Sequence, residues 1–216
     1  MDTGCAGFAI YFAGSLKTVY MNKNDSLAKP LPFKTIGNQI ISVNKELGFR
    51  SFDPQTDLNL LHNWVNQDYA QAFWQMRGSI GLLRSCYQCI MQNPYAHSFI
   101  GLHGGNPICQ FDLYKVAVDE LAALVNHEQQ DCGFHLLMAP NQQPIHGLTL
   151  SLIKAFLGFY FSMDSTGSMF AEPDAQNDKS IRLLENAGFQ RITTVAMSYK
   201  TAHVYSLTKE QFLCNR

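Results

Sequence analysis

The sequence is poor in charge and has no long apolar run. Only 15% of its 216 residues are charged, and 16 lysines and arginines nearly balance 17 aspartates and glutamates. The resulting formal charge of -1 gives no general attraction to nucleic acid or to an anionic membrane. No stretch approaches the roughly 18 to 20 consecutive apolar residues of a membrane span. We therefore expect neither nucleic acid nor a membrane as a partner.

The sequence also lacks the features of an exported, disulfide-linked protein. The apolar stretch at residues 5–13 follows an acidic rather than a basic start, which argues against a secretory signal. In such a chain, six cysteines are expected to be reduced thiols, and the expected location is the cytoplasm. Cys86 and Cys89 form a C-x-x-C pair inside a predicted helix without a second pair, so no metal site is implied.

The length fits one generous domain, or a domain with an extension. Apolar runs at residues 8–13 and 18–21 flank Gly14-Ser15 and predict a hairpin, and residues 40–43 predict another short strand. After these, the predicted order is β-α-α-β-β-β-α-β-α-β-β, a mixed α/β domain. We expect a short N-terminal β-rich extension over residues 1–46 and one domain over residues 47–216.

Two segments resemble the coenzyme A motifs of the GNAT family of N-acetyltransferases. Residues 171–180 resemble that family's E-P-D-x-x-N-x-x-[AS] signature, which continues into a helix and a closing A-G-F at 187–189. Residues 144–149 lie where the family has Q/R-x-x-G-x-G/A, and Gly147 alone keeps that pattern. The resemblance implies an enzyme with a GNAT fold, a mixed central sheet flanked by helices, that uses acyl-CoA (acetyl-CoA or succinyl-CoA) and no metal.

The same resemblance implies which residues bind the donor. In this family, backbone N–H groups at a helix N-terminus hold the pyrophosphate, because that end of a helix attracts anions. Asn177 would cap the next helix and contact the pantetheine or phosphate part. Leu184 occupies the place where many members have a tyrosine that protonates the leaving thiolate. The implied donor-binding residues are Leu137, Met138, His146, Gly147, Leu148, Thr149, Asn177 and Ser180.

A narrower resemblance extends over residues 49–216. Segments 60–66 with 72–74, 111–114 and 131–137 resemble the LLHxWMN…FW, FEIYW and D-x-G-x-H-L-L stretches of siderophore-biosynthesis acyltransferases of the aerobactin and mycobactin type. That family acylates N-hydroxylated lysine or diamines to form hydroxamates. The resemblance implies direct attack in a ternary complex, with His135 as general base.

A histidine on a strand can accept the proton that nitrogen loses on attacking a thioester carbonyl. Glu172 or Asp174, which have the same parity along a predicted strand, would orient the His135 ring. A hydroxylamine nitrogen is largely unprotonated at neutral pH, so the base need not first deprotonate an ammonium group. Backbone N–H groups of residues 136–139 are candidates for stabilising the oxyanion. The alternative for His135 is a histidine of the core.

The expected acceptor is a small amine or hydroxylamine, and the protein is expected to be a monomer or homodimer. By resemblance, the residues that wall the acceptor site are Trp74, His97, Gln110, Asp112 and Tyr114. Asp112 would pair with a distal ammonium, whereas Trp74 and Tyr114 are alternatively core aromatics. Two other functions stay open: an aminoglycoside-type N-acetyltransferase, which would favour an acidic cleft, and a non-catalytic acyl-CoA-binding module, motivated by the weakened pyrophosphate loop.

Overall fold

A computed structural model of the protein describes residues 8–12, 15–19, 31, 40–140, 144–163 and 166–215. β1 (Phe8–Phe12) and β2 (Ser15–Val19) form the predicted antiparallel hairpin. Eight further strands form one mixed sheet in the order β3-β4-β5-β6-β7-β8-β10-β9. They are β3 (Ile41–Ser42), β4 (Leu47–Ser51), β5 (Ala96–His103), β6 (Asn106–Lys115), β7 (Cys132–Met138), β8 (Met169–Ala171), β9 (Gln190–Ala196) and β10 (Thr201–Leu207).

Helices flank the sheet, which confirms the predicted α/β class. They are α1 (Leu58–Val65), α2 (Asp68–Gln71), α3 (Ile80–Gln92), α4 (Leu148–Ser162), α5 (Asp178–Ala187) and α6 (Lys209–Cys214). Of these, α2 and α6 were not predicted. α3 begins where expected because the Ser79 hydroxyl accepts a hydrogen bond from the Leu82 N–H, and α5 ends at the left-handed Gly188 (φ 99°). Within the described part of the chain, no helix is long and apolar enough to cross a membrane.

The helices bury the two faces of the sheet in separate cores. α1 and α3 cover one face, where Trp64, Tyr87 and Ile90 are buried with Ile100 of β5. The other face packs on α4, whose Phe156 ring stacks on Phe111 of β6 at 4.2 Å between centroids. Trp64 and Phe156 therefore belong to the core. Alternation along each strand decides which face, and which core, a residue joins.

The segment before residue 47 contacts the main sheet. β3 is an edge strand that pairs antiparallel with β4, and Leu31 is buried in the core that contains α4. The predicted boundary after residue 46 falls in the turn between β3 and β4. It stays a prediction.

β7 and β8 are the parallel pair of the sheet, and they pair only at Cys132–Met169 and Gly133–Phe170. The Cys132 N–H donates to the Ser168 carbonyl on the β8 side (3.1 Å), whereas the Ala139 N–H donates to Ile108 on the β6 side (2.8 Å). Because backbone groups of a strand alternate in direction, the even-numbered residues of β7 direct N–H and C=O toward β8. Leu136 and Met138 therefore face an opening between β7 and β8, hereafter the wedge.

Candidate active site

A histidine and a carboxylate form a pair beside the wedge. Nε2 of His135, on β7, lies 2.6 Å from Oε1 of Glu172, which directly follows β8. The two side chains are 18% and 2% exposed. Because an ionised carboxylate only accepts hydrogen bonds, Nε2 carries the proton and Nδ1 is the basic nitrogen of the neutral ring. Of the two predicted partners, Glu172 is the one that contacts His135.

Tyr114 holds the other oxygen of Glu172. Its hydroxyl donates to Oε2 at 2.7 Å, and its ring stacks on that of His135 at 5.1 Å between centroids. To reach Glu172 from β6, Tyr114 crosses β7 directly above Gly133, where an added Cβ would lie 2.2 Å from Cζ of the tyrosine. The glycine two residues before His135 is therefore required by the passage of Tyr114. In this position Tyr114 orients the carboxylate.

The charges around Glu172 keep it ionised. Lys200 Nζ lies 3.8 Å from Glu172 Oε1 and donates a hydrogen bond to the Glu172 carbonyl oxygen. Burial alone would raise the pKa of Glu172, but His135, Lys200 and Tyr114 together hold it well below its usual range. Burial, reinforced by the Glu172 charge, raises the pKa of Tyr114 well above its usual range. At neutral pH, Tyr114 is thus a donor and Glu172 a charged acceptor.

Trp74 approaches His135 from the segment after α2. The two rings meet edge to face, with centroids 6.3 Å apart and planes at 89°. The indole Nε1 is buried and has no hydrogen-bond partner among the residues that the structure describes. The structure thus brings Trp74, Tyr114, His135 and Glu172 together.

Asp112 and Gln110 form a buried network next to this group. Asp112 faces His135 across the β6–β7 pair and is 2% exposed. Its Oδ1 accepts hydrogen bonds from Ser98 and from Gln110 (2.6 Å), and its Oδ2 accepts one from Tyr87 (3.1 Å). Burial raises the pKa of Asp112, which these donors and His135 oppose. The carboxylate is occupied by donors of the chain, so the predicted pairing with a distal ammonium gains no support from its position.

His97 lies on the opposite face of the sheet from His135. Its Nε2 is 3.0 Å from the Ser51 hydroxyl, and its ring packs on Phe99 at 4.5 Å between centroids. A register shift between Gly101 and Leu102 pairs Asp112 with Ser98 rather than with His97. Because of this bulge, each β5 residue before Leu102 pairs with a β6 residue one position further along than in a regular hairpin, so His97 lies on the opposite face of the sheet from Asp112. His97 therefore does not join the predicted acceptor group.

The N-terminus of α4 has the features expected of an anion site. Gly147, in the left-handed conformation (φ 76°), precedes the helix, no side chain caps it, and its first turn contains no acidic residue. His146 and Gly147 are exposed, and Leu148 and Thr149 are partly buried. The Leu148 N–H donates to the Ile145 carbonyl at 3.3 Å, so the positive end of the helix dipole and the other N–H groups of the first turn are what α4 offers to a phosphate group. This end of α4 has the chemistry of an anion site, and its use by coenzyme A stays a prediction.

The second predicted donor segment caps α5. Asn177 Oδ1 accepts a hydrogen bond from the Ser180 N–H at 3.1 Å, which is the expected capping contact. Asp174 lies in the preceding turn, where its carboxylate accepts from the Gln176 N–H and its carbonyl from the Asn177 N–H, each at 2.8 Å. Asp174 thus shapes the turn and does not contact His135.

One residue at the wedge was not predicted. The Tyr69 hydroxyl, on α2, donates to the Met138 carbonyl at 2.5 Å, whereas the neighbouring Leu137 side chain is buried in the core under α1 and α3. The four residues of α2 are too few to give a periodic pattern. Cys86 of the C-x-x-C pair is buried in the core under α1 and α3, and this burial raises the pKa of its thiol to about 11. The described residues contain no cluster suited to a metal ion.

The acetyltransferase (GNAT) domain profile matches residues 53–197. The chain belongs to this family. Two relatives are each 22% identical to this chain. The first is an N(6)-hydroxylysine O-acetyltransferase of Escherichia coli, and the match covers 79% of this chain and 54% of the relative. The second is the lysine N-acyltransferase MbtK of Mycobacterium sp. (strain MCS), and the match covers 74% of this chain and 66% of the relative. This GNAT chain therefore spans 54% and 66% of these relatives' lengths.

Solved structures confirm the predicted GNAT fold. An uncharacterized protein of Bacillus halodurans has a TM-score of 0.75 at 24% identity, over 87% of this chain and 94% of that one. The aminoglycoside acetyltransferase AAC(6')-Ib in complex with coenzyme A has a TM-score of 0.72 at 22% identity, over 79% and 99%. At these identities the likeness concerns the fold alone.

Proposed function

We propose that this GNAT protein transfers an acetyl or succinyl group from coenzyme A to the hydroxylated nitrogen of a lysine or diamine, in hydroxamate siderophore biosynthesis. The observation that carries the proposal is the His135–Glu172 pair, 2.6 Å apart, beside the open edge of β7. A base next to unpaired strand N–H groups is the arrangement that acyl transfer from a thioester requires. Because coenzyme A thioesters are intracellular metabolites, we place the reaction in the cytoplasm.

The donor would lie along two helix N-termini and the wedge. Backbone N–H groups at Gly147 and Thr149 would hold the pyrophosphate, and the Asn177–Ser180 cap would lie beside the pantetheine arm. The Met138 N–H would donate to the thioester oxygen, where negative charge develops during attack. His135 lies three residues earlier on the same strand, so base and oxyanion donor share one rigid element.

His135 would remove the proton from the attacking nitrogen through Nδ1, which is buried in this structure, so the substrate must displace a neighbouring group to reach it. Glu172 would stabilise the imidazolium that forms, and Tyr114 and Lys200 would hold Glu172 in place. Since Leu184 cannot donate a proton, the thiol would leave as thiolate, which its low pKa allows. The chain thus supplies a base, its orientation and an oxyanion donor, and the nucleophile adds directly without a covalent enzyme intermediate.

The chemistry of the site favours a nitrogen that is neutral before it reacts. Glu172 and Asp112 are 4% and 2% exposed, and donors of the chain already occupy both carboxylates. A polycationic aminoglycoside would need accessible acids here, so we rank that acceptor second despite the shared fold. By their names, one relative acts on N(6)-hydroxylysine and the other on lysine; the first supports an N-hydroxylated acceptor, and both support a lysine-type acceptor over an aminoglycoside.

The test is an acceptor panel at fixed acyl-CoA. Acetyl-CoA and succinyl-CoA are each offered N-hydroxylysine, N-hydroxyputrescine, N-hydroxycadaverine, the three parent amines and kanamycin. Free thiol measures turnover, and ferric colour identifies a hydroxamate. We expect thiol and colour with at least one hydroxylamine and much slower turnover of its parent amine. Turnover of kanamycin but no hydroxylamine would overturn the proposed acceptor, and acyl-CoA binding without any turnover would identify a non-catalytic module.

A further inference from the structure

Tyr69, a partly exposed residue of α2, forms a hydrogen bond with the last residue of β7. Its hydroxyl donates to the Met138 carbonyl at 2.5 Å, across 69 positions of sequence. Met138 is one of the two β7 residues whose backbone faces the wedge. The phenol ring therefore lies at the wedge, on the α1–α3 face from which His135 also projects.

The exposure of the aromatic side chains around α2 points to a ligand. Tyr69 is 48% exposed, and Phe73, four residues later, is 44% exposed. Trp74 then contacts His135. Aromatic rings carry much apolar area, and exposed ones at a substrate opening are typical of surfaces that a ligand covers. The α2 segment thus spans the distance from the open edge of β7 to the base.

We infer that Tyr69 closes the acyl end of the donor site and restricts the transferred group to a short chain. This inference rests on the proposed function, which places the thioester oxygen at the Met138 N–H. From that point, an acyl chain extending along the α1–α3 face meets the phenol ring bound to the carbonyl of the same residue. An acetyl group ends before the ring, whereas a six-carbon chain collides with it.

The experiment measures donor affinity and so does not depend on the acceptor. Calorimetry gives Kd for coenzyme A, acetyl-CoA and hexanoyl-CoA with the wild type, Tyr69→Ala and Tyr69→Phe. Leu213→Ala, which truncates a 53% exposed side chain on α6, is the control. We expect the wild type and the control to bind acetyl-CoA at least about tenfold more tightly than hexanoyl-CoA, since one or more misplaced methylenes cost about that factor. Tyr69→Ala should remove the difference, and Tyr69→Phe, which keeps the ring, should retain it.

The outcomes separate this inference from the proposed function. If the wild type binds both thioesters equally, or if Tyr69→Ala preserves the tenfold preference, Tyr69 does not limit the acyl chain. If the preference disappears in Tyr69→Ala but no hydroxylamine is acylated, the acceptor proposal fails and the role of Tyr69 stands. If no acyl-CoA binds to any variant, both are overturned.

Discussion

The crossing of Tyr114 over Gly133 can be tested by adding one methyl group. In Gly133→Ala, the new Cβ would lie 2.2 Å from Cζ, 2.3 Å from the hydroxyl and 2.6 Å from Cε2 of Tyr114. Ordinary carbon contacts are about 3.5–4.0 Å, so the ring must move by more than an ångström. Such a movement breaks the 2.7 Å hydrogen bond to Glu172.

Two costs add in this variant. Overpacking a well-filled site costs about 1–3 kcal/mol. Removing a donor from a buried carboxylate costs about 1–3 kcal/mol more. We expect the free energy of unfolding to fall by about 2–6 kcal/mol, measured by urea denaturation followed by tryptophan fluorescence. Gly81→Ala is the control, because its Cβ meets only the Ser79 hydroxyl at 3.8 Å; as a helix glycine, it should gain about 0.5–1 kcal/mol.

A double-mutant cycle isolates the contact. In a Tyr114→Ala background the obstacle is gone, so adding Gly133→Ala should cost no more than about 0.5 kcal/mol. The geometry would be refuted if Gly133→Ala had the same effect in both backgrounds, because the glycine would then be needed for a reason unrelated to Tyr114.

Three further predictions concern the elements that hold the site. The fold holds the pKa of Glu172 below its usual 4.5, so the free energy of unfolding of the wild type should decrease as pH falls below 4.5. In Glu172→Gln the free energy of unfolding should depend less steeply on pH, measured by urea titrations between about pH 3 and 5. Asp57→Asn removes the anion of a bidentate pair with Arg50 (2.5 and 2.6 Å). Because the Arg50 side chain is 19% exposed, water partly hydrates the guanidinium that is left unpaired, so we expect a loss of about 1–3 kcal/mol, and a loss under about 0.5 kcal/mol would contradict this. Ser79→Ala should lower stability by about 1 kcal/mol through the lost α3 cap, whereas Ser85→Ala on the same helix should have a smaller effect.

The elements with strong local signals were predictable. α1 and α3 carry apolar residues at helical spacing, and Ser79 and Gly188 have the chemistry of their helix ends. α6 was missed although Thr208 and Gln211 form a capping box that the sequence displays. α2 was missed because four residues hold no period, and Tyr69 was missed with it.

The arrangement of the site depended on features that a linear pattern does not carry. An unbulged β5–β6 hairpin would pair His97 with Asp112; the shift between Gly101 and Leu102 sends His97 to the other face. Glu172 and Asp174 have the same parity, so alternation alone could not choose between them. The chain turns at Asp174 and directs the Asp174 carboxylate to the Gln176 N–H, which leaves Glu172 as the partner of His135.

The central claim is that His135 is the base of an acyl-CoA-dependent N-acyl transfer. The most direct measurement is kcat for hydroxamate formation by His135→Asn at saturating acetyl-CoA and N-hydroxylated amine, beside the Kd of acetyl-CoA. We predict a fall in kcat of about 10²–10⁴-fold, the contribution typical of a positioned general base, with the Kd unchanged within about twofold. A variant that keeps the wild-type kcat would contradict the account.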